Sequence, residues 1–225
     1  AHRLRGIEEV YKNKLADCVV LDDGFQQWKV RKQLEVVCVD VTNPFGCGKI
    51  LPRGILREPL TSLRRADVIV FTKTNIADVS DALRQQVQKY APRALIVEAA
   101  HTPAGFYRLG DSLTPQRLEG ASCLLFSGIG EPYSFEESIR KMNITIRHAL
   151  RFSDHHPYTT GDLEKIFTQA RQYHADAVVT TEKDAMRLLR LRLPSNHVPI
   201  FVFKIKMTLT KNEDEFLRRL RGVFS

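Results

Sequence analysis

Short apolar runs rich in β-branched residues recur along this chain, and a segment of helical period separates most of them from the next. Val36-Val37-Cys38-Val39, Val68-Ile69-Val70-Phe71, Cys123-Leu124-Leu125-Phe126 and Ala177-Val178-Val179 contain no alternating polar residue. Each therefore reads as a strand buried on both faces. A strand that hands over to a helix and then to another buried strand needs a crossover connection, so the pattern predicts parallel α/β sheets rather than a barrel. In detail, strands are expected over 18–21, 34–41, 66–72, 94–98, 122–126, 144–150, 177–181 and 198–205. Helices are expected over 4–15, 60–65, 78–90, 135–142, 161–174 and 212–223, with another opening at Glu182. Residues 98–120 lack helical period and read as a β-type connector between a first domain, 1–97, and a second, smaller α/β domain, 121–225.

Composition narrows the function classes. With 43% hydrophobic and 27% charged residues over 225 positions, the chain can bury a core in each of two domains. No apolar run approaches the roughly 18 residues of a membrane span. The four cysteines, Cys18, Cys38, Cys47 and Cys123, form no Cys-x-x-Cys pair, and three of them sit in strand-like runs. They read as small buried hydrophobes of a reducing compartment rather than as a zinc or disulfide framework. The net charge of +8 favours an anionic partner: a nucleotide, a nucleic acid or a phospholipid surface. The chain opens at Ala1 directly in a helical pattern and without a methionine, which reads as the middle of a longer protein.

The chemistry concentrates at the ends of the predicted strands. Cys18-Val19-Val20-Leu21 runs straight into Asp22-Asp23-Gly24. Two carboxylates where a buried strand leaves a sheet lie at the edge where open α/β sheets bind ligands. Hard oxygen donors there suit Mg²⁺, which takes one or two carboxylates and fills its shell with phosphate and water. An Asp-Gly hairpin turn is the competing reading of the same residues. Gly48-Lys49 is no phosphate loop, because Asn43 stands where the first glycine is required and Ile50 where the hydroxyl is required. Lys49, Arg53, Arg57, Arg64 and Arg65 read by default as a solvated basic face, with Arg57-Glu58 singled out because Pro59 stiffens its backbone. Ser127-Gly128-Ile129-Gly130 is either a tight turn or a phosphate-binding turn. Asp154, His155, His156 and Tyr158 form a polar cluster after a strand.

Six motifs then coincide in order: Leu21-Asp22-Asp23-Gly24-Phe25-Gln26, Pro44-Phe45-Gly46-x-Gly48, Leu51-Pro52-x-Gly54-x-Leu56-Arg57-Glu58-Pro59, Ser127-Gly128-Ile129-Gly130, Asp154-His155 and Thr181-Glu182-Lys183-Asp184-Ala185. Together they resemble the tetraacyldisaccharide 4′-kinase family of lipid A biosynthesis. The resemblance implies a P-loop NTPase-like parallel sheet, incomplete at its N-terminus here. It implies transfer of the γ-phosphate of ATP to the 4′-hydroxyl of a tetraacylated glucosamine disaccharide, a lipid A precursor, at the cytoplasmic face of the bacterial inner membrane. By the same resemblance, Asp22 and Asp23 are Walker B carboxylates that place Mg²⁺, Arg57 and Glu58 line the site near metal and phosphates, and His155 assists the family's catalytic aspartate. Gln27, where the family commonly has histidine, and Trp28 depart from the pattern. The family's Walker A loop and its Gly-Asp-Glu-Pro stretch lie upstream of the Asp-Asp motif, and neither occurs in these residues. The chain accordingly reads as a C-terminal portion that is inactive alone.

Two readings compete. A non-catalytic anion-binding α/β module for nucleic acid or acidic lipid would explain the charge. Against nucleic acid, the basic residues are dispersed and not interleaved with aromatics. A guanine-nucleotide protein is faintly suggested by Thr72-Lys73-Thr74-Asn75, but no acidic residue follows Lys73 at once.

Overall fold

The computed structural model describes residues 2–111, 114–193 and 197–224. It divides into two units: Ala1–His101 with Met207–Ser225, and Thr102–Lys206. The chain leaves the first unit within one long strand and returns to it within another.

In the first unit, helix α1 (His2–Lys12) precedes strands β1 (Val36–Asp40), β2 (Val68–Thr72) and β3 (Leu95–Arg108). The order is β1-β2-β3, parallel, with Val37 opposite Ile69 and Ile69 opposite Ile96. Side chains alternate across a strand, so β2 feeds two cores. Ile69 and Phe71 pack with Leu63, Leu83 and Val87, the latter two from helix α2 (Asp81–Tyr90). Val68 and Val70 pack with Val97, Ala99 and Phe216 on the opposite face. Phe216 belongs to helix α6 (Glu213–Arg221), which follows strand β8 (Ile200–Lys211) and is fastened to the first unit. Asn212 Nδ2 donates to the Ile96 carbonyl at 2.8 Å, and Arg219 Nη1 to the Asp67 carbonyl at 2.8 Å.

The second unit holds the C-terminal half of β3, the short antiparallel strand β4 (Pro115–Gln116), then β5 (Ser122–Ser127), α3 (Pro132–Arg140), β6 (Thr145–Arg151), α4 (Thr160–Gln172), β7 (Ala177–Thr181) and α5 (Glu182–Leu188). Its parallel order is β6-β5-β7-β8. Helix α4 covers Leu124, Phe126 and Val178 with Leu163, Ile166, Phe167 and Ala170. Helix α3 covers Cys123, Leu125 and Val179 with Phe135 and Ile139. The chain winds from β5 outward to β6 and then back to β7 on the other side. The carboxyl ends of β5 and β7 therefore flank a topological switch point, where doubly wound sheets open a crevice.

Most predicted elements form, within a few residues of the expected ends. Ser80 caps α2, its hydroxyl accepting from the Leu83 amide at 3.2 Å, so the helix starts after the expected 78. The partition 1–97, 98–120 and 121–225 follows chain order. The contacts instead return 207–225 to the first unit, because α6 supplies one of that sheet's two covers.

Two expectations are corrected. Residues 18–21 form no strand: the segment is irregular, and Val20 is 88% exposed. An apolar run becomes a strand only when its amides and carbonyls find a ladder, and β1 pairs with β2 alone among the described residues. The cysteines are not uniformly buried: Cys38 and Cys47 are exposed, Cys18 is half-buried, and only Cys123 is in a core. Burial pushes the Cys123 thiol up to about 11, with Asp176 adding to the effect.

Burial makes the contrast measurable. Phe71→Ala, at a fully buried position, should cost about 3–5 kcal/mol in urea unfolding. Val20→Ala should change stability by less than about 0.5 kcal/mol. A Val20 cost comparable to that of a core valine would restore the buried strand.

Candidate functional site

The Asp22-Asp23 motif is a tight turn in the first unit. Asp23 sits at φ 51°, a left-handed conformation that aspartate tolerates better than most residues. A Cβ on Gly24 would meet Leu21 Cβ at 2.7 Å and the Leu21 carbonyl oxygen at 2.9 Å, so this position accepts only glycine without a shift. Arg57 Nη1 donates to Asp23 Oδ2 at 2.5 Å. That bond, with the guanidinium charge, holds the Asp23 carboxyl below its usual range. Both side chains are more than half exposed, so the pair adds little stability and Arg57 can exchange partners.

Glu58 faces the other way. Burial opposes its ionisation, but the Arg65 hydrogen bond at 2.8 Å, with Ser62 and Gln26, outweighs burial and holds its carboxyl below the usual range. Arg65 also lies over the Phe25 ring, 4.3 Å from its centroid. Glu58 and Arg65 thus brace the residue that follows the Asp-Asp-Gly turn. In sequence Arg65 belongs to the solvated basic face. An Arg-aromatic pairing between segments 40 residues apart leaves no local pattern to find. Asp22, Asp23, Arg57 and Glu58 line one cavity of about 940 Å³, walled by Val37 and Val39 of β1 and by Phe45.

The second unit holds His155. Three loops meet at the carboxyl ends of β5, β6 and β7, and a buried carboxylate ties the loop after β5 to the end of β7 and to α5. Asp184 Oδ2 accepts from the Gly128 amide at 3.0 Å and from the Thr181 hydroxyl at 2.8 Å, while its Oδ1 accepts from Arg187 Nη1 at 2.9 Å. The Thr181 hydroxyl in turn accepts from the Asp184 amide, capping α5. Gly128 is pinned from outside as well: a Cβ there would meet Tyr158 Oη at 3.0 Å, His156 Cβ at 3.1 Å and the Ser153 carbonyl oxygen at 3.1 Å. Burial, and then the Asp184 charge, push the Tyr158 phenol well above its usual range.

His155 itself is exposed and stands at φ 58°. Its amide donates to the Gly128 carbonyl at 3.1 Å. Arg187 Nη2 lies 3.0 Å from its Nδ1, a partner the sequence did not indicate. His156 is not the solvated residue its polar neighbourhood suggests. Its Nε2 lies 3.1 Å from Asp162 Oδ2, the carboxylate of the Thr159-Asp162 capping box, and its ring packs 4.7 Å from that of Phe152. The Gly128 amide is spent on Asp184, so the Gly-x-Gly turn is structural at that amide and no phosphate cradle. Asp184 and Arg187 were missed as site residues, although Thr181-x-x-Asp184 is a recognisable capping signal.

Among the described residues, no three His, Cys, Asp or Glu side chains gather as a metal cage. The exposed Asp22 and Asp23 carboxylates are hard oxygen donors, of the kind Mg²⁺ takes one or two of beside phosphate and water.

The mostly parallel, doubly wound sheet defines a mixed α/β protein. The crystal structure of "apo" form LpxK from Aquifex aeolicus in complex with ATP matches with a TM-score of 0.65, covering 90% of this chain and 56% of that one, at 20% identity. The model of the family described as Tetraacyldisaccharide-1-P 4'-kinase matches residues 1–224. The chain belongs to that family. Proteins named tetraacyldisaccharide 4'-kinase are similar to it in Halothermothrix orenii, 31% identical over 88% of this chain and 56% of the relative, and in Syntrophobacter fumaroxidans, 39% identical over 77% and 46%. In Chlorobium phaeovibrioides the figures are 32% over 97% and 63%. The chain thus spans about half the length of the curated relatives it matches. Among the described residues, no helix is long and apolar enough to cross a membrane.

The Asp23–Arg57 pair has a readable consequence. Arg57→Met should move the Asp23 carboxyl up toward its ordinary value of about 3.9. A depressed folded value means the pair's contribution is present above the unfolded value and lost as pH falls through the folded one. A carboxyl-carbon NMR titration of wild type and variant checks this, and an Asp23 midpoint that does not move would place the two side chains apart in solution.

Proposed function

We propose that this chain supplies the metal-binding and histidine-bearing parts of an ATP-dependent kinase that phosphorylates the 4′-hydroxyl of a tetraacylated glucosamine disaccharide. The observation that supports this reading is the family match across residues 1–224. The protein works at the cytoplasmic face of the bacterial inner membrane, held peripherally, with its net charge of +8 drawing it to anionic lipid.

The residues divide the labour by chemistry. Asp22 and Asp23 hold Mg²⁺, which when bound offsets charge on the phosphates of ATP. Arg57 leaves its exposed pairing with Asp23 and presents its planar fork to a phosphate. Glu58 and Arg65 keep the Phe25 segment, and with it the Asp-Asp turn, in place. His155 hydrogen-bonds the carboxylate that accepts the proton of the 4′-hydroxyl, so that the base is correctly placed and stays ionised. The 225 residues contain neither a Gly-x-x-x-x-Gly-Lys-Ser/Thr loop nor a Gly-Asp-Glu-Pro stretch. By themselves they lack a phosphate cradle, and positioning is most of phosphoryl-transfer catalysis.

The test is a phosphate-transfer assay with Mg²⁺ATP and the lipid A disaccharide precursor. The 225-residue chain alone should show no turnover above a no-enzyme control. In a full-length kinase carrying these residues, Asp23→Asn and His155→Ala should each lower kcat by about 10²-fold or more with little change in KM. His156→Ala should instead lower the melting temperature, because it loosens the capping of α4, and leave kcat within about twofold. Equal kcat effects from the two histidines would remove His155 from the reaction.

A further inference from the structure

Arg187 is engaged on three sides. Its Nη1 donates to the buried Asp184 carboxylate at 2.9 Å and to the Gly128 carbonyl at 3.2 Å. Its Nη2 lies 3.0 Å from Nδ1 of His155. Arg187 is a quarter exposed and Asp184 not at all, whereas His155 is 79% exposed. The guanidinium is therefore fixed from the protein side and offers its remaining edge to the imidazole.

The chemistry of that contact is one-sided. A guanidinium has five N–H donors and no acceptor. It can bond a ring nitrogen only through that nitrogen's lone pair, so the contact requires Nδ1 to carry no hydrogen. The proton of neutral His155 must then reside on Nε2. The surroundings agree, since Asp154 Oδ2 lies 3.8 Å from Nε2, on the side where an N–H is wanted. The other titratable groups here face elsewhere: Asp184 bonds Arg187, Gly128 and Thr181, Tyr158 packs over Gly128, and His156 bonds Asp162.

The backbone is committed to the same arrangement. A non-glycine residue at φ 58° is strained, and such strain persists where surrounding contacts over-determine it. Here the His155 amide and Arg187 Nη1 both bond the Gly128 carbonyl, while Asp154 Oδ1 accepts from the His155 amide at 2.9 Å. From this left-handed position the ring of His155 places Nδ1 3.0 Å from Arg187 Nη2.

We propose that Arg187, anchored by Asp184, is a positioning residue that locks His155 in its Nε2–H tautomer, so that the imidazole meets its reaction partner as a hydrogen-bond donor. The catalytic consequence rests on the role assigned to His155 above; the tautomer does not. Donation from Nε2 is what a carboxylate base would require of the histidine that steadies it, because a carboxylate can only accept. A charged hydrogen bond of this kind favours one tautomer by roughly tenfold or more.

The test reads the tautomer directly. Long-range ¹H–¹⁵N NMR spectra of the ¹⁵N-labelled 225-residue chain are recorded at about pH 9, above the ordinary histidine range. His155→Asn assigns the ring signals. In the wild-type chain Nδ1 should resonate as an unprotonated nitrogen and Nε2 as a proton-bearing one. In Arg187→Gln and Arg187→Met the two signals should move toward each other as the Nδ1–H form becomes populated. A proton-bearing Nδ1 in the wild type, or ring signals that do not move in either variant, would overturn the proposal. Arg187→Lys, which keeps a donor without an acceptor, should restore part of the wild-type pattern if the packing tolerates the shorter reach. The backbone amide spectrum of each variant shows that the chain is folded.

In the full-length kinase, Arg187→Met should lower kcat about tenfold and leave KM within about twofold. Tautomer release with unchanged kcat would leave Arg187's effect on the ring standing and remove His155 from the reaction. A fall in kcat with the tautomer intact would overturn the positioning role.

Discussion

Parallel strands must be covered on both faces, and both units follow from that requirement. A parallel ladder is joined by crossovers, so each strand is followed by a segment that must lie on the sheet. In the second unit α3 and α4 take opposite faces, and Leu125 and Phe126 bury in different cores although they are neighbours in sequence. In the first unit α2 covers one face, and the second cover comes from α6 at the far end of the chain. Covering both faces also fixes where the loops emerge, and winding outward from β5 and then back leaves the β5 and β7 ends beside a crevice.

Asp184 shows how a loop cluster of this kind is held. A charge with no exposure is costly unless every oxygen is bonded. Here the carboxylate accepts from an amide in the loop after β5, a hydroxyl at the end of β7 and a guanidinium on α5. Removing any partner would leave a buried acceptor short of a bond, so the loop after β5, the end of β7 and α5 hold one geometry together. His155 stands at the rim of that cluster, exposed while its supports are buried. This separation of a rigid base from an accessible side chain is what a positioned functional group requires.

The first unit handles charge differently. Asp23 and Arg57 pair at the surface, where water screens them and exchange of partners costs little. Glu58 and Arg65 are more enclosed and pair as a brace, with Phe25 beneath the guanidinium. Adjacent residues of one motif, Arg57 and Glu58, thus have opposite characters. One is free to change its partner and the other is not.

The alternation of apolar runs and helical segments determined the α/β class, because composition and period act locally and do not depend on partners. The tight turn at Asp22-Asp23-Gly24 was equally local, since glycine there answers a close approach three residues away. The six ordered motifs carried the family. Only the tertiary structure decided the rest. Residues 18–21 have the composition of a buried strand and are not one, because a strand depends on a ladder that lies elsewhere in sequence. The C-terminal helix closes the first sheet, because covering a hydrophobic face is satisfied by whatever segment reaches it. Arg65 reads in sequence as part of a solvated basic face, and nothing in the sequence singles out Arg187. Their roles come from Phe25, 40 positions from Arg65, and His155, 32 positions from Arg187, and a contact over such a span is set by packing and not by spacing.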